Sequence, residues 1–329
     1  MSALAPTLEA YFLERLRVQR NASLQTVAAY RDTWRLLLGF VSQEIGKDPS
    51  QFDFSDLTAP RIGAFLQWLE ETRHNTVRTR NARLAAIHAF FRYAAYRHPE
   101  HAGLIQYVLA IPAKRFEQPH IDFLTEVESA ALLNAVDQET WIGRRDYTLL
   151  MVLLQTGLRV SELTGLTIAD VDLGPSAVVR CSGKGRKHRA TPLTAATVAQ
   201  LKVWLAEWRG AEHQWLFPTV RGTRLSTDAV QWMLTKNEER ARVTCSTLAR
   251  KHLTPHVLRH TCAMNLLRSG VDITVIALWL GHESLQATQI YLHADLAIKE
   301  QAIARTAPMD VKSGRYQPPD ALLAFLESL

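Results

Sequence analysis

Residues 254–291 read TPHVLRHTCAMNLLRSGVDITVIALWLGHESLQATQIY. Thr254-Pro255 has the form of a helix start, with proline at the first helical position, where its missing N–H is no loss. Gly270 and Gly281 have the form of helix stops. A helix opening at Pro255 sets His256 and Arg259 three positions apart on one face of its first turn, where free amides and the helix dipole favour an anion. His282 and Tyr291 follow beyond the second stop. Four side chains able to clamp a phosphate, move a proton or attack are therefore held in fixed order near the C-terminus.

A second motif, TGLRVSEL at 156–163, adds Arg159 and Glu162. Gly157 reads as the C-cap of one helix and Arg159 opens the next, so packing on both sides can hold its side chain. Glu162, one turn on, can orient Arg159 or a neighbouring base by accepting hydrogen bonds. Between the two motifs, CSGKGRKHR at 181–189 sets Lys184 between two glycines with strand-like flanks. That pattern predicts a hairpin turn able to reach into a groove.

Breaking a phosphodiester without hydrolysis needs a nucleophile, a clamp on the two nonbridging oxygens and a proton donor for the leaving oxygen. A phenol with an ordinary pKa of about 10 attacks only with help from a base or a strong positive field. Arginine forks aimed at the phosphoryl oxygens stabilise the charge that gathers there. Plainer readings stand beside this one. One tyrosine among eight is more often core or surface than catalytic, and a basic turn can be merely solvated. His256 and His260 have the i, i+4 spacing of a metal pair, but neither an HExxH glutamate nor a third ligand accompanies them. No metal site is expected, and His260 reads as a structural hydrogen-bonding residue.

The 329 residues, 47% of them hydrophobic, suffice for two domains with ordinary cores. A net charge of +6 makes a polyanionic partner plausible. Cys181, Cys245 and Cys262 are odd in number, widely spaced and free of any CxxC pattern, which suits a reducing cytoplasm. The first residues lack a basic run followed by an apolar core, and no stretch approaches the roughly 20 apolar residues of a membrane span. A soluble, cytoplasmic protein is expected.

Helical spacing recurs at Leu8, Tyr11, Phe12 and Leu16, and again at Val27, Tyr30, Trp34, Leu37 and Val41 behind an N-cap at Ser23. Two further helices are predicted over 59–72 and 76–96. The proline-containing segment from Ile111 to Thr125 suits a linker. The second half is mixed, with short strands around 171–173, 177–181 and 188–191 and a helix start at Ser226. The expected fold is mainly α with a small antiparallel β-sheet. Its parts are a helical domain over 1–112, a linker over 113–122, a second domain over 123–305 and a tail over 306–329.

The spaced set Arg159, Lys184, His256, Arg259, His282 and Tyr291, with Glu162 at the usual acidic position, resembles the active-site signature of the tyrosine recombinases, the phage-integrase family. The resemblance spans roughly residues 8–305. It implies a C-shaped two-domain clamp on double-stranded DNA carrying a specific site, with Tyr291 as nucleophile and Lys184 as general acid. Lys187 is a rival for that last role. It further implies a homotetramer on two DNA sites, a possible accessory recombinase, and no metal, ATP or other cofactor. The segment SLQTVAAYRDTW resembles the family's core-binding (SAM-like) domain, so Arg31, Arg35, Arg78, Arg80 and Arg83 are candidate backbone contacts, as are Arg186, Lys187 and Arg189. Cys262 stands where the family usually has Ser or Thr. The 38 residues after Tyr291 end in LLAFLESL, a candidate helix for docking in trans. A mobile-element recombinase is the first expectation. A dimer resolvase of the same chemistry, a binding-only repressor or accessory factor, and a relaxing type IB topoisomerase are the alternatives.

Overall fold

The structure, a computed structural model, describes residues 4–116, 121–183, 188–207, 214–282 and 284–294. The chain divides into two compact units, Met1–Pro119 and His120–Leu329, each with its own core. No helix among the described residues is long and apolar enough to cross a membrane.

The first unit is helical. Helix α1 (Leu4–Ala10) runs on as a π-helical stretch, Tyr11–Gln19, where a single α-helix is predicted from the apolar spacing. Then come α2 (Leu24–Ile45), α3 (Ala59–Glu71), α4 (Val77–Ala94) and α5 (Ala102–Leu109). Ser23 caps α2 as expected, its hydroxyl accepting the Thr26 N–H, and Gly46 closes the helix in the left-handed conformation. The core is aromatic: the Phe90 ring meets Tyr11, Trp34 and Phe91 with centroids 4.6–5.5 Å apart, near edge to face.

The second unit opens with α6 (Glu126–Asn134) and α7 (Trp141–Thr156). After the single-turn α8 (Val160–Leu163) come strands β1 (Val171–Asp172), β2 (Val178–Ser182) and β3 (His188–Pro192), followed by α9 (Ala195–Glu207). Helices α10 (Thr227–Thr244), α11 (Pro255–Arg268), α12 (Ile273–Leu280) and α13 (Gln286–Ala294) complete it. Helix α7, with Leu149, Leu150, Val152 and Leu153 buried, packs against α11 and α9 and forms the spine of the core.

The sheet is antiparallel in the order β1-β2-β3. Cys181 faces Arg189 and Val179 faces Thr191 across the β2–β3 ladder. Because side chains alternate along a strand, this register turns Arg189 and Thr191 inward and His188 and Ala190 outward. Strands β2 and β3 pair antiparallel, as a hairpin there requires; Lys184, Arg186 and Lys187 lie outside the described residues, as does the tail over 306–329.

Candidate active site

Gly157 ends α7 in the left-handed region (φ +61°), and Arg159 occupies the N-cap position of α8. Glu162, at the third position of α8, accepts the Arg159 backbone N–H (2.8 Å) and one guanidinium N–H of Arg159 (2.9 Å). The same carboxylate takes two hydrogen bonds from Arg189 of β3, at 3.0 and 2.7 Å. Burial opposes ionisation of Glu162, yet the bonds from Arg189 and Arg159 prevail and hold its carboxyl below the usual range.

Arg189, expected as a DNA-backbone contact, has a side chain only 11% exposed and paired with Glu162, and in this structure it braces the site. Arg80, expected in the same role, is also buried. It is 6% exposed and donates to the Pro112 carbonyl and to Asn81, inside the first unit. Arg31, Arg35 and Arg78 are exposed, with Arg31 paired to Asp32, and Arg83 is half-buried.

Helix α11 begins as predicted, Thr254 capping it by accepting the Val257 N–H. His256 and Arg259 nonetheless lie at different depths. His256 is exposed, whereas Arg259 is 3% exposed and donates to the carbonyls of Gly157 (2.6 Å) and Leu280 (2.7 Å). Each terminal guanidinium nitrogen carries a second N–H beyond these bonds. Burial, then the charge of Arg159, lowers the Arg259 pKa to about 10, so the group stays cationic at neutral pH.

The two motifs are stapled backbone to side chain. Besides Arg259, Arg159 donates to the Gly281 carbonyl (3.1 Å) and the Trp279 indole to that of Thr156 (3.1 Å). The contact is tight enough that a Cβ on Gly157 would stand 2.7 Å from the Leu280 side chain, and one on Gly281 would stand 2.8 Å from the Arg189 guanidinium. Residues 156–159 and 279–282 thus form one wall that carries both arginines.

Tyr291 of α13 lies within reach of their field. It is 1% exposed; burial pushes its phenol up to about 12, and Arg259 pulls the other way. The His282 ring lies nearly parallel to it at 6.3 Å, with Nδ1 on the Thr288 hydroxyl at 2.6 Å. The phenol oxygen is 3.0 Å from Nδ1 of His260. Sequence reasoning gave His260 only a structural role. Its place one residue after Arg259 was visible, but which partner it meets depends on how α13 packs on α11. Burial holds His282 and His260 neutral, each pKa lowered to about 4, with Arg259 and Arg159 adding to the effect on His282 and with His256 and Arg259 adding to it on His260.

A buried phenol, two converging guanidiniums and neutral imidazoles form an array suited to phosphoryl transfer to tyrosine. Comparisons with known proteins identify the family. The phage integrase family model matches residues 122–297, and the phage integrase N-terminal SAM-like domain matches residues 10–98. The chain is 52% identical over 328 residues to y4rC of Sinorhizobium fredii (strain NBRC 101917 / NGR234), named as an integrase/recombinase, covering 100% of this chain and 99% of that one. It is 33% identical over 289 residues to the tyrosine recombinase XerC of Rhodospirillum centenum, covering 85% and 80% of the two chains. In fold it resembles the Tn1549 transposon integrase in complex with transposon right end DNA (TM-score 0.70, 17% identity, 89% of this chain and 97% of that one). It also resembles the XerH recombinase bound to a difH substrate (TM-score 0.65, 24% identity, 87% and 81%). The chain belongs to the phage integrase family of tyrosine recombinases.

Proposed function

We propose that this protein is a site-specific recombinase that cuts and rejoins DNA through a 3′-phosphotyrosine at Tyr291 and serves the integration, excision or transposition of a mobile element. The observation that carries the reading is the convergence of Arg159 and Arg259, 100 positions apart in sequence, on one wall beside the buried phenol of Tyr291. In the forward step the Tyr291 oxygen bonds to phosphorus and the bond from phosphorus to the 5′ oxygen breaks. The phenol proton passes to His256, and Lys184 or Lys187 protonates the departing 5′ oxygen. Arg159 and Arg259 bear the charge on the nonbridging oxygens, and His282 orients the phosphate or the nucleophile. The phosphotyrosine keeps the bond energy for rejoining, so neither ATP nor a metal is required.

The first unit and the second, bounded near 112 and 123, would grip double-stranded DNA, with Arg31, Arg35, Arg78 and Arg83 on the backbone. Four protomers on two sites, linked by the tail after residue 305 docking in trans, would exchange strands in turn. An accessory recombinase would be needed only if this chain cannot complete both exchanges. The structures of relatives bound to DNA support a DNA partner. A housekeeping dimer resolvase is the second reading, favoured by the XerC relatives that align over most of the chain.

The test is covalent trapping. Wild-type protein and Tyr291→Phe are incubated without added metal on nicked duplexes built from the DNA flanking the gene. An SDS-resistant adduct lost in the Phe variant is expected, and its position gives the site; a chromosomal site unlinked to the gene would favour the resolvase. Clear DNA binding without any adduct would overturn the enzymatic reading. A 5′-bridging sulfur in the substrate should rescue the alanine variant of whichever lysine, 184 or 187, is the general acid.

A further inference from the structure

His260 follows Arg259 directly on α11 but is outside the set supplied by the family resemblance. Its Nδ1 lies 3.0 Å from the Tyr291 hydroxyl oxygen, and its ring meets the phenol near edge to face, with centroids 5.6 Å apart. The His256 ring lies nearly parallel on α11, 6.1 Å away. The phenol is thus gripped from inside the protein at the one atom that has to attack. We propose that His260 is a positioning residue for the nucleophile: its Nδ1 accepts the Tyr291 O–H and fixes the direction of the phenol oxygen before attack. The proposal rests on the reading of Tyr291 as nucleophile.

An accepting Nδ1 requires the ring proton on Nε2. The groups facing the ring are Tyr291 of α13, His256 and Arg259 of α11, Asp122 ahead of α6, and His282 after α12. Burial, seconded by His256 and Arg259, keeps His260 neutral down to about 4, while burial raises Tyr291 to about 12. Across so wide a gap the proton stays on the phenol, so His260 orients it without removing it. Removal during attack falls to the exposed His256. Fixing one oxygen matters because a misplacement of about 1 Å at a reacting atom can cost a hundredfold in rate.

The test compares full-length His260→Asn, His260→Gln and His260→Ala with wild type on the nicked flanking-DNA substrate. Adduct formation is timed from pH 6 to 9, with DNA affinity and circular dichroism measured alongside. The Asn side chain puts an accepting oxygen near the place of Nδ1 and cannot take up a proton; Gln puts its amide further out. Asn should keep the rate within about fivefold with an unchanged pH profile, while Gln and Ala should fall by about thirtyfold or more at unchanged DNA affinity. An Asn variant as slow as Ala would overturn positioning in favour of proton uptake, and variants all equal to wild type would overturn it outright. If Ala fails to fold, the Asn and Gln pair carries the comparison. A wild-type protein that forms no Tyr291-dependent adduct overturns the nucleophile reading and this proposal together, whereas Tyr291-dependent adducts unaffected by position 260 overturn this proposal alone.

Discussion

Glu162 gathers two guanidiniums, those of Arg159 and Arg189, that would otherwise repel each other. Removing it strands Arg189 in the interior, so Glu162→Ala should lose about 3 kcal/mol in urea melts, within the range for breaking a buried pair. Its carboxyl is held below the unfolded value, so its contribution is whole above that value and fades as pH falls through the folded one. The buried imidazoles act in the same direction over a stated window. His260 and His282 stay neutral to about 4, whereas unfolded histidine binds a proton near 6.5. The unfolded chain therefore holds more protons between those values, and stability should fall as pH drops from 6.5 toward 4. Urea melts across that range should show this slope, flatter in a His260→Asn, His282→Asn double variant. Which arginines matter was only partly legible. Arg159 and Arg259 stood out because glycine stops and a Thr-Pro start frame them. The fates of Arg80 and Arg189 were hidden, because acceptors 32 and 27 residues away, the Pro112 carbonyl and Glu162, decide whether they are buried.

Elements were most legible where the chain punctuates itself. Ser23, Thr254 and Ser226 cap helices as their types predict, and Gly157 and Gly281 close α7 and α12 in the left-handed region. What escaped has physical causes. Helix α5, AGLIQYVL, has no side-chain cap and little polar alternation to reveal a face. The π-helical register of 11–19 is a matter of which carbonyl each amide chooses, and apolar spacing is nearly blind to that. The two glycines do more than stop helices, since the wall bearing the arginines is packed against their Cα atoms. Gly157→Ala meets both a positive φ and a Leu280 contact, and should cost about 2 kcal/mol in thermal or chemical melts. Gly281→Ala should push Arg189 aside and slow adduct formation more than it weakens DNA binding.

Across the whole molecule, two units whose buried clusters do not mix, with a proline-containing stretch between them, predict two separable folding units. Trypsin at Lys114 or Arg115 should release two fragments that each melt cooperatively; unfolding of either on cleavage would refute the division. With a net charge of +6, binding to any duplex should weaken steeply with salt. The staple between 156–159 and 279–282 also has an evolutionary consequence. Arg159 and Arg259 hold carbonyls of that wall, so in a descendant that no longer cut DNA both arginines would still tie its two segments together. A phenylalanine at 291 would cost such a descendant one hydrogen bond and leave its ring packing in place. On the function proposed above, the hydroxyl at that position is the one part of the side chain that strand exchange requires beyond the fold.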